Sequence, residues 1–159
     1  MFLQAALDRI DSEDREMLER TAARIREFAN AQRASITDMT MQLPGGEAGH
    51  TIAPVDVAGC YAPGGRFPLP SSVLMTAITA RAAGCPTVFV ASPKPTDITL
   101  AAAAIAEADA LLAVGGAQAI AAMAYGTESV KACDAIVGPG NRWVTAAKQL
   151  VAGIVRIDM

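Results

Sequence analysis

A chain of 159 residues with 52 % apolar and 18 % charged side chains holds enough nonpolar material for a core of its own, which excludes a disordered protein. Its formal charge of −3 and pI near 5.1 exclude nucleic acid as the main partner, because no basic stripe is present to neutralise a row of phosphates. Aromatic residues are only 4 % of the chain and alanine is abundant, so helices packed closely on a sheet are expected in place of a core of large rings.

The opening segment MFLQAALDRIDSEDRE turns charged too soon for a signal peptide. From Asp11 to Arg33, Met17, Leu18, Thr21, Ala22, Ile25, Phe28 and Ala29 recur on one helical face. This predicts an amphipathic helix with Asp11 or Ser12 as its N-cap, packed on something larger. Residues 34–54 lose that period and carry Pro44-Gly45-Gly46, a turn signal, so they read as a connection with short extended pieces. The single histidine, His50, falls in this connection and reads as a surface or hydrogen-bonding residue.

From Val55 the period alternates. Strand-like runs at Val55 to Tyr61, Thr87 to Ala91, Ala110 to Val114, Ala135 to Val137 and Ile154 to Ile157 are separated by helical runs at Ser71 to Ala83, Thr96 to Ala108, Ala117 to Tyr125 and Asn141 to Val151. One helix per crossover predicts parallel strands and right-handed connections, and Ser71 or Ser72 is expected to cap the first of these helices. The expected fold is therefore α/β: a three-layer, Rossmann-like parallel sheet preceded by the amphipathic helix, with residues 1–54 as helix and connection and 55–159 as the sheet domain. The alanine-rich run from Leu100 to Tyr125 is broken by Glu107 and Asp109, so no membrane span is expected. Cys60, Cys85 and Cys133 are odd in number and far apart, which reads as structural, reduced thiols in a cytoplasmic protein.

Strand C-termini of a parallel sheet open on one edge, where helix N-termini also point. Three glycine-bearing bends fall there: YAPGG (61–65), VGGAQ (114–118) and GPGN (138–141). Glycine lets a backbone approach a ligand closely, and free N–H groups at a helix start favour an anion such as a pyrophosphate. Each bend alone is an ordinary turn; the signal is their convergence. The G-x-G-x-x-G fingerprint is incomplete, because Gly138 and Gly140 are followed by Trp143 at the third glycine position. If NAD binds, side chains must then do more of the positioning, and the candidates are Tyr61 as a ring to stack, Gln118 as an amide, and Asn141 as a second amide at a helix start.

The stretches GCYAPGGRFPLPSSVLM, VGGAQAIAAMAYGTESV and DAIVGPGNRWVTAAK, with the terminal IDM, together resemble the histidinol dehydrogenase family in the N-terminal half of its first large domain. The likeness runs from Ala58 to Met159 and, more loosely, through the leading helix. It implies NAD-dependent, zinc-assisted oxidation of L-histidinol to L-histidine, the last step of histidine biosynthesis, by a homodimer. It also implies NAD contacts at Tyr61, Gln118 and Asn141.

The family continues past IDM with a P-A-G-P-S-E segment, a Q-x-x-H zinc pair, a Glu-His acid–base pair and further ligands. With one histidine, this sequence is expected to supply no catalytic residue and no metal ligand, so that zinc and proton transfer belong to segments it lacks. Two other readings stay open: a non-catalytic remnant or nucleotide-binding module, and a relative acting on another small alcohol such as sulfopropanediol, of which GGEAGH and GCYAPGG are reminiscent.

Overall fold

The computed structural model describes residues 2–64 and 67–158. The second glycine of the first bend, Gly65, and the last residue of IDM, Met159, lie outside the described residues.

Two helices lead the chain, α1 (Phe2–Leu7) and α2 (Ser12–Ala34). Asp11 caps α2: its Oδ1 accepts the Asp14 N–H at 2.7 Å, and Glu13 and Asp14 place negative charge at the positive end of the helix. Leu18 and Ala22, one turn apart, are buried. They join Val73, Leu74 and Leu100 in one apolar cluster, so the leading helices share a core with the domain that follows.

Strands β1 (Met39–Leu43) and β2 (Gly46–His50) form an antiparallel hairpin whose ten paired residues are all exposed. Pro44 and Gly45 make the turn, and Gly45 takes φ +90°, a conformation that glycine adopts without steric cost.

The remaining elements are β3 (Val57–Tyr61), α3 (Pro70–Ala82), β4 (Thr87–Ala91), α4 (Asp97–Ile105), β5 (Ala110–Leu112), α5 (Gly116–Tyr125), β6 (Ala135–Val137), α6 (Arg142–Val151) and β7 (Arg156–Ile157). The five strands from β3 onward form one parallel sheet in the order β5-β4-β3-β6-β7, which follows the order of the first five strands of a doubly wound fold. Alternation along β3 splits the core in two. Ala58 and Cys60 meet α3 and α4 on one face, while Val57 and Tyr61 meet α5 and α6 on the other. Each buried Val, Leu or Ile on these faces is worth about 1.5–3 kcal/mol relative to exposure. The three layers are thus present, with α1 and α2 added outside α3 and α4.

Paired aspartates set the register at the opposite edge. Asp109 Oδ2 accepts the Val88 N–H at 2.7 Å and Asp134 Oδ2 accepts the Val57 N–H at 2.8 Å. Each aspartate precedes a strand and satisfies the first free amide of its neighbour.

Three local expectations are corrected. Neither Ser71 nor Ser72 caps α3; the cap position is Leu69 with no side-chain bond, and Pro70 starts the helix because its fixed φ is helical and its missing N–H needs no partner. The helix expected to reach Ala108 stops at Ile105, since Glu107 turns to φ +59° and the Ala108 N–H reaches back to the Ala103 carbonyl. The strand expected to begin at Val55 begins at Val57, where pairing with β4 starts.

Candidate functional site at the sheet switch point

Strand order reverses between β3 and β6, because the chain moves outward to β4 and β5 before returning to the other side of β3. In such sheets the crevice beyond the strand C-termini at this point is the favoured ligand position. Tyr61 ends β3 there, and Gly138 follows the end of β6. Gly138 takes φ +114°, and a Cβ on it would overlap the carbonyl oxygen of Tyr61. No other residue type fits that contact without moving one of the two loops.

The tyrosine ring itself is 3 % exposed, packed among α5 and α6 residues. It therefore offers no face for stacking, in contrast to the expectation from sequence. Its hydroxyl oxygen accepts the Gly116 N–H at 3.0 Å, at the first residue of α5. Gly115, the N-cap of that helix, has no side chain to satisfy the amides of Ala117 and Gln118, which have no protein acceptor among the described residues. Gln118 is exposed, with Oε1 folded back 2.8 Å from where a Cβ on Gly116 would stand.

Asn141 is exposed and is the N-cap of α6: its Oδ1 accepts from the amides of Trp143 and Val144 at 3.0 and 3.1 Å. Its oxygen is thus committed to the helix and its Nδ2 remains the outward donor. Trp143, at the missing third glycine, is 62 % exposed, with the Arg142 guanidinium 4.7 Å from its ring centroid. Close helix packing falls instead to Gly140, where a Cβ would strike Val144.

The structure brings the three predicted residues to one edge without placing them in mutual contact; Tyr61 links the other two, its hydroxyl reaching the start of α5 and its backbone meeting Gly138. A cleft of about 320 Å³ opens on the β4 side of this edge, lined by Pro63, Ser92, Pro93, Lys94, Thr96 and Thr99 among others. Pro93 is its keystone, since a Cβ on either Gly64 or Gly115 would collide with it.

Two residues that sequence reasoning missed secure the GPGN loop. Lys148 is fully buried, and its Nζ donates to the Gly138 carbonyl and to Asp158 Oδ1, each at 2.6 Å. Asp158 Oδ2 accepts the Gly138 N–H at 2.7 Å. Burial pushes the Asp158 carboxyl up, but the Lys148 ammonium and the Gly138 amide outweigh it and hold the group below its ordinary value. The signal was in the spacing: Val144, Lys148 and Val151 fall on one face of α6, so a lysine sits on the inward stripe.

The other titratable residues stand apart. His50 is exposed on the hairpin with Nε2 3.1 Å from the Thr37 carbonyl. Burial pushes the thiols of Cys60 and Cys133 up to about 12, which leaves them protonated and poorly nucleophilic. Among the described residues no three His, Cys, Asp or Glu side chains converge as a metal site, and no helix is long and apolar enough to cross a membrane.

Comparison with known proteins agrees with this architecture. Residues 2–159 match the family model described as histidinol dehydrogenase. The chain is 51 % identical to a histidinol dehydrogenase of Haloarcula marismortui over 158 residues, 98 % of this chain and 37 % of that protein. It is 48 % identical to one of Methanococcus maripaludis over 160 residues, 98 % of this chain and 38 % of the relative. It is also 43 % identical to a histidinol dehydrogenase homolog 1 of Mesorhizobium japonicum, covering 99 % of this chain and 32 % of that protein. A crystal structure of histidinol dehydrogenase from Elizabethkingia anophelis superposes with a TM-score of 0.89 at 33 % identity, over 99 % of this chain and 37 % of that one. The chain thus spans about a third of the length of these relatives, and over that span it belongs to the histidinol dehydrogenase family.

Proposed function

We propose that this chain forms the NAD-contacting part of a histidinol dehydrogenase, which oxidises L-histidinol to L-histidine in the last step of histidine biosynthesis. The observation that carries the reading is the meeting of three glycine bends at the switch point, with Tyr61 bonded to the start of α5 and packed on Gly138. Family membership supports the same chemistry, since the relatives named above are histidinol dehydrogenases.

The donors on this edge suit a dinucleotide. The free amides of Ala117 and Gln118 at the N-terminus of α5 favour an anionic pyrophosphate. The Gln118 amide, the Asn141 Nδ2 and the Tyr61 hydroxyl hydrogen supply polar contacts that fix its orientation. When bound, NAD⁺ supplies the hydride acceptor; these residues bind and orient it and exchange no proton with substrate. The described residues bring no zinc ligand set together, and in this reading zinc binding and proton transfer belong to the part of the relatives that this chain does not span. Three buried free thiols suit a reducing cytoplasm, and we take the working form to be a homodimer, as the family resemblance implies.

Calorimetric titration with NAD⁺ tests the reading. Saturable binding is expected, weakened about fivefold or more by Gln118→Ala, the cost of about 1 kcal/mol for one lost hydrogen bond. Absence of binding, or equal affinity in parent and variant, removes Gln118 from the site.

A further inference from the structure

A fully buried lysine calls for a reason. Lys148 lies on the inward stripe of α6 between Val144 and Val151, where a methionine would fill the same space without taking a charge out of water. A buried ion pair is weak grounds for stability, because desolvation offsets much of its attraction. Geometry is the better account. The pair holds Gly138 from both sides: Lys148 Nζ binds its carbonyl at 2.6 Å, Asp158 Oδ2 binds its amide at 2.7 Å, and the two side chains bind each other at 2.6 Å. Both polar groups of one residue, at φ +114° and in backbone contact with Tyr61, are thereby fixed. Three residues later the same loop presents Asn141.

We propose that Lys148 and Asp158 are positioning residues for the dinucleotide, clamping the Gly138 peptide so that the loop from Gly138 to Asn141 is set against Tyr61 before ligand arrives. Neither side chain needs to touch the ligand. Preorganisation of this kind raises affinity by sparing the ligand the cost of ordering the loop. The inference rests on the nucleotide reading given above.

Two measurements on the full chain decide it: amide exchange of Gly138 in the ligand-free protein, and NAD⁺ titration. The variants are Lys148→Met, Asp158→Ala and Asp158→Asn, with Leu18→Ala on the other face of the sheet as a destabilised control. In Lys148→Met and Asp158→Ala, Gly138 exchange is expected to rise at least tenfold relative to Val88 and Val90, and the NAD⁺ Kd to rise at least tenfold. Asp158→Asn, which keeps one carbonyl acceptor, should recover part of both effects. Leu18→Ala should change exchange without selecting Gly138 and leave the Kd in place.

Should Lys148→Met fail to fold, Asp158→Ala carries the same test, since that side chain is 33 % exposed. Gly138 exchange that merely follows the rest of the sheet, or a parent-like Kd in the clamp variants, overturns the proposal. A parent that binds no NAD⁺ overturns the nucleotide reading and the ligand half of this inference; normal binding with uniform exchange overturns the clamp alone.

Discussion

The phenolic oxygen of Tyr61 accepts the amide hydrogen of Gly116 at 3.0 Å, joining the end of β3 to the start of α5 across 55 residues of sequence. The same residue, through its carbonyl, meets Gly138 beyond β6. One buried side chain and its peptide therefore tie two of the three glycine bends to the third, and the ring works as a pillar inside the edge instead of a platform on it.

Tyr61→Phe isolates the hydroxyl. The ring still fills its place between α5 and α6, so no cavity opens, but the Gly116 amide loses its acceptor. Stability should fall by about 1 kcal/mol in denaturant titration, the usual net worth of one hydrogen bond. Tyr61→Ala should cost about 3–5 kcal/mol, because the core volume is lost as well. Equal losses in the two variants would contradict the pillar role.

Asn141 combines a structural and a proposed binding task on different atoms, and substitution can part them. Asn141→Ala removes the cap on Trp143 and Val144 and should cost about 1 kcal/mol of stability. Asn141→Asp keeps an oxygen at the cap and adds charge favourable to the helix N-terminus, so its melting point should match the parent. Aspartate lacks the Nδ2 donor and would repel a pyrophosphate, so NAD⁺ affinity should fall in both variants. An aspartate variant that binds NAD⁺ as well as the parent would confine Asn141 to capping.

Much of this edge was legible in the sequence because periodicity and punctuation carry local information. The switch from period 3.6 to short β runs located every strand of the sheet, and Asp11 announced the start of α2 through the preference of aspartate for caps. What escaped depended on contacts between distant segments. The stacking role expected of Tyr61 failed because nothing local distinguishes a strand-end tyrosine aimed outward from one that meets a helix start 55 residues on. Ser71 and Ser72 look like caps by composition, yet they fall inside α3 because Pro70 sets the helix start by its own φ. Lys148 hid in plain view, since an inward lysine becomes meaningful only when its partner, Asp158, and the intervening Gly138 are seen together. The hairpin emerged from its Pro44-Gly45 turn as extended pieces only, because its exposed strands lack the burial pattern that makes a strand stand out.

Glycine substitutions should separate tight sites from open ones. At Gly138 an alanine would face both a positive φ and the Tyr61 carbonyl, so Gly138→Ala should cost at least about 3 kcal/mol. Gly153, just beyond α6, has open space around its missing Cβ and no positive φ, so Gly153→Ala should stay within about 0.5 kcal/mol of the parent. Comparable melting points for the two would show that the loop can shift away from Tyr61.

Acid should release the Gly138 clamp through Asp158. Its folded carboxyl lies below the ordinary 3.8: burial raises it, but the hydrogen bonds from Lys148 and Gly138 and the nearby ammonium charge prevail. A carboxylate whose pKa is depressed on folding stabilises the native state above its unfolded value, and that contribution disappears as pH falls through the folded value. The stability difference between the parent and Asp158→Asn should therefore be steady from neutral pH down to about pH 5, then shrink below 3.8 as the parent's carboxylate takes up its proton. Asp97 is also held low by Arg9, chiefly through their hydrogen bond, but that pair is solvent-exposed and persists in both proteins, so it cancels in the comparison. Placing Lys148→Met beneath both removes the main force that depresses Asp158, and the pH dependence of the difference should flatten. Urea titrations at a series of pH values measure all four proteins; a difference that does not change with pH would mean that the carboxylate's charge plays no part in holding Gly138.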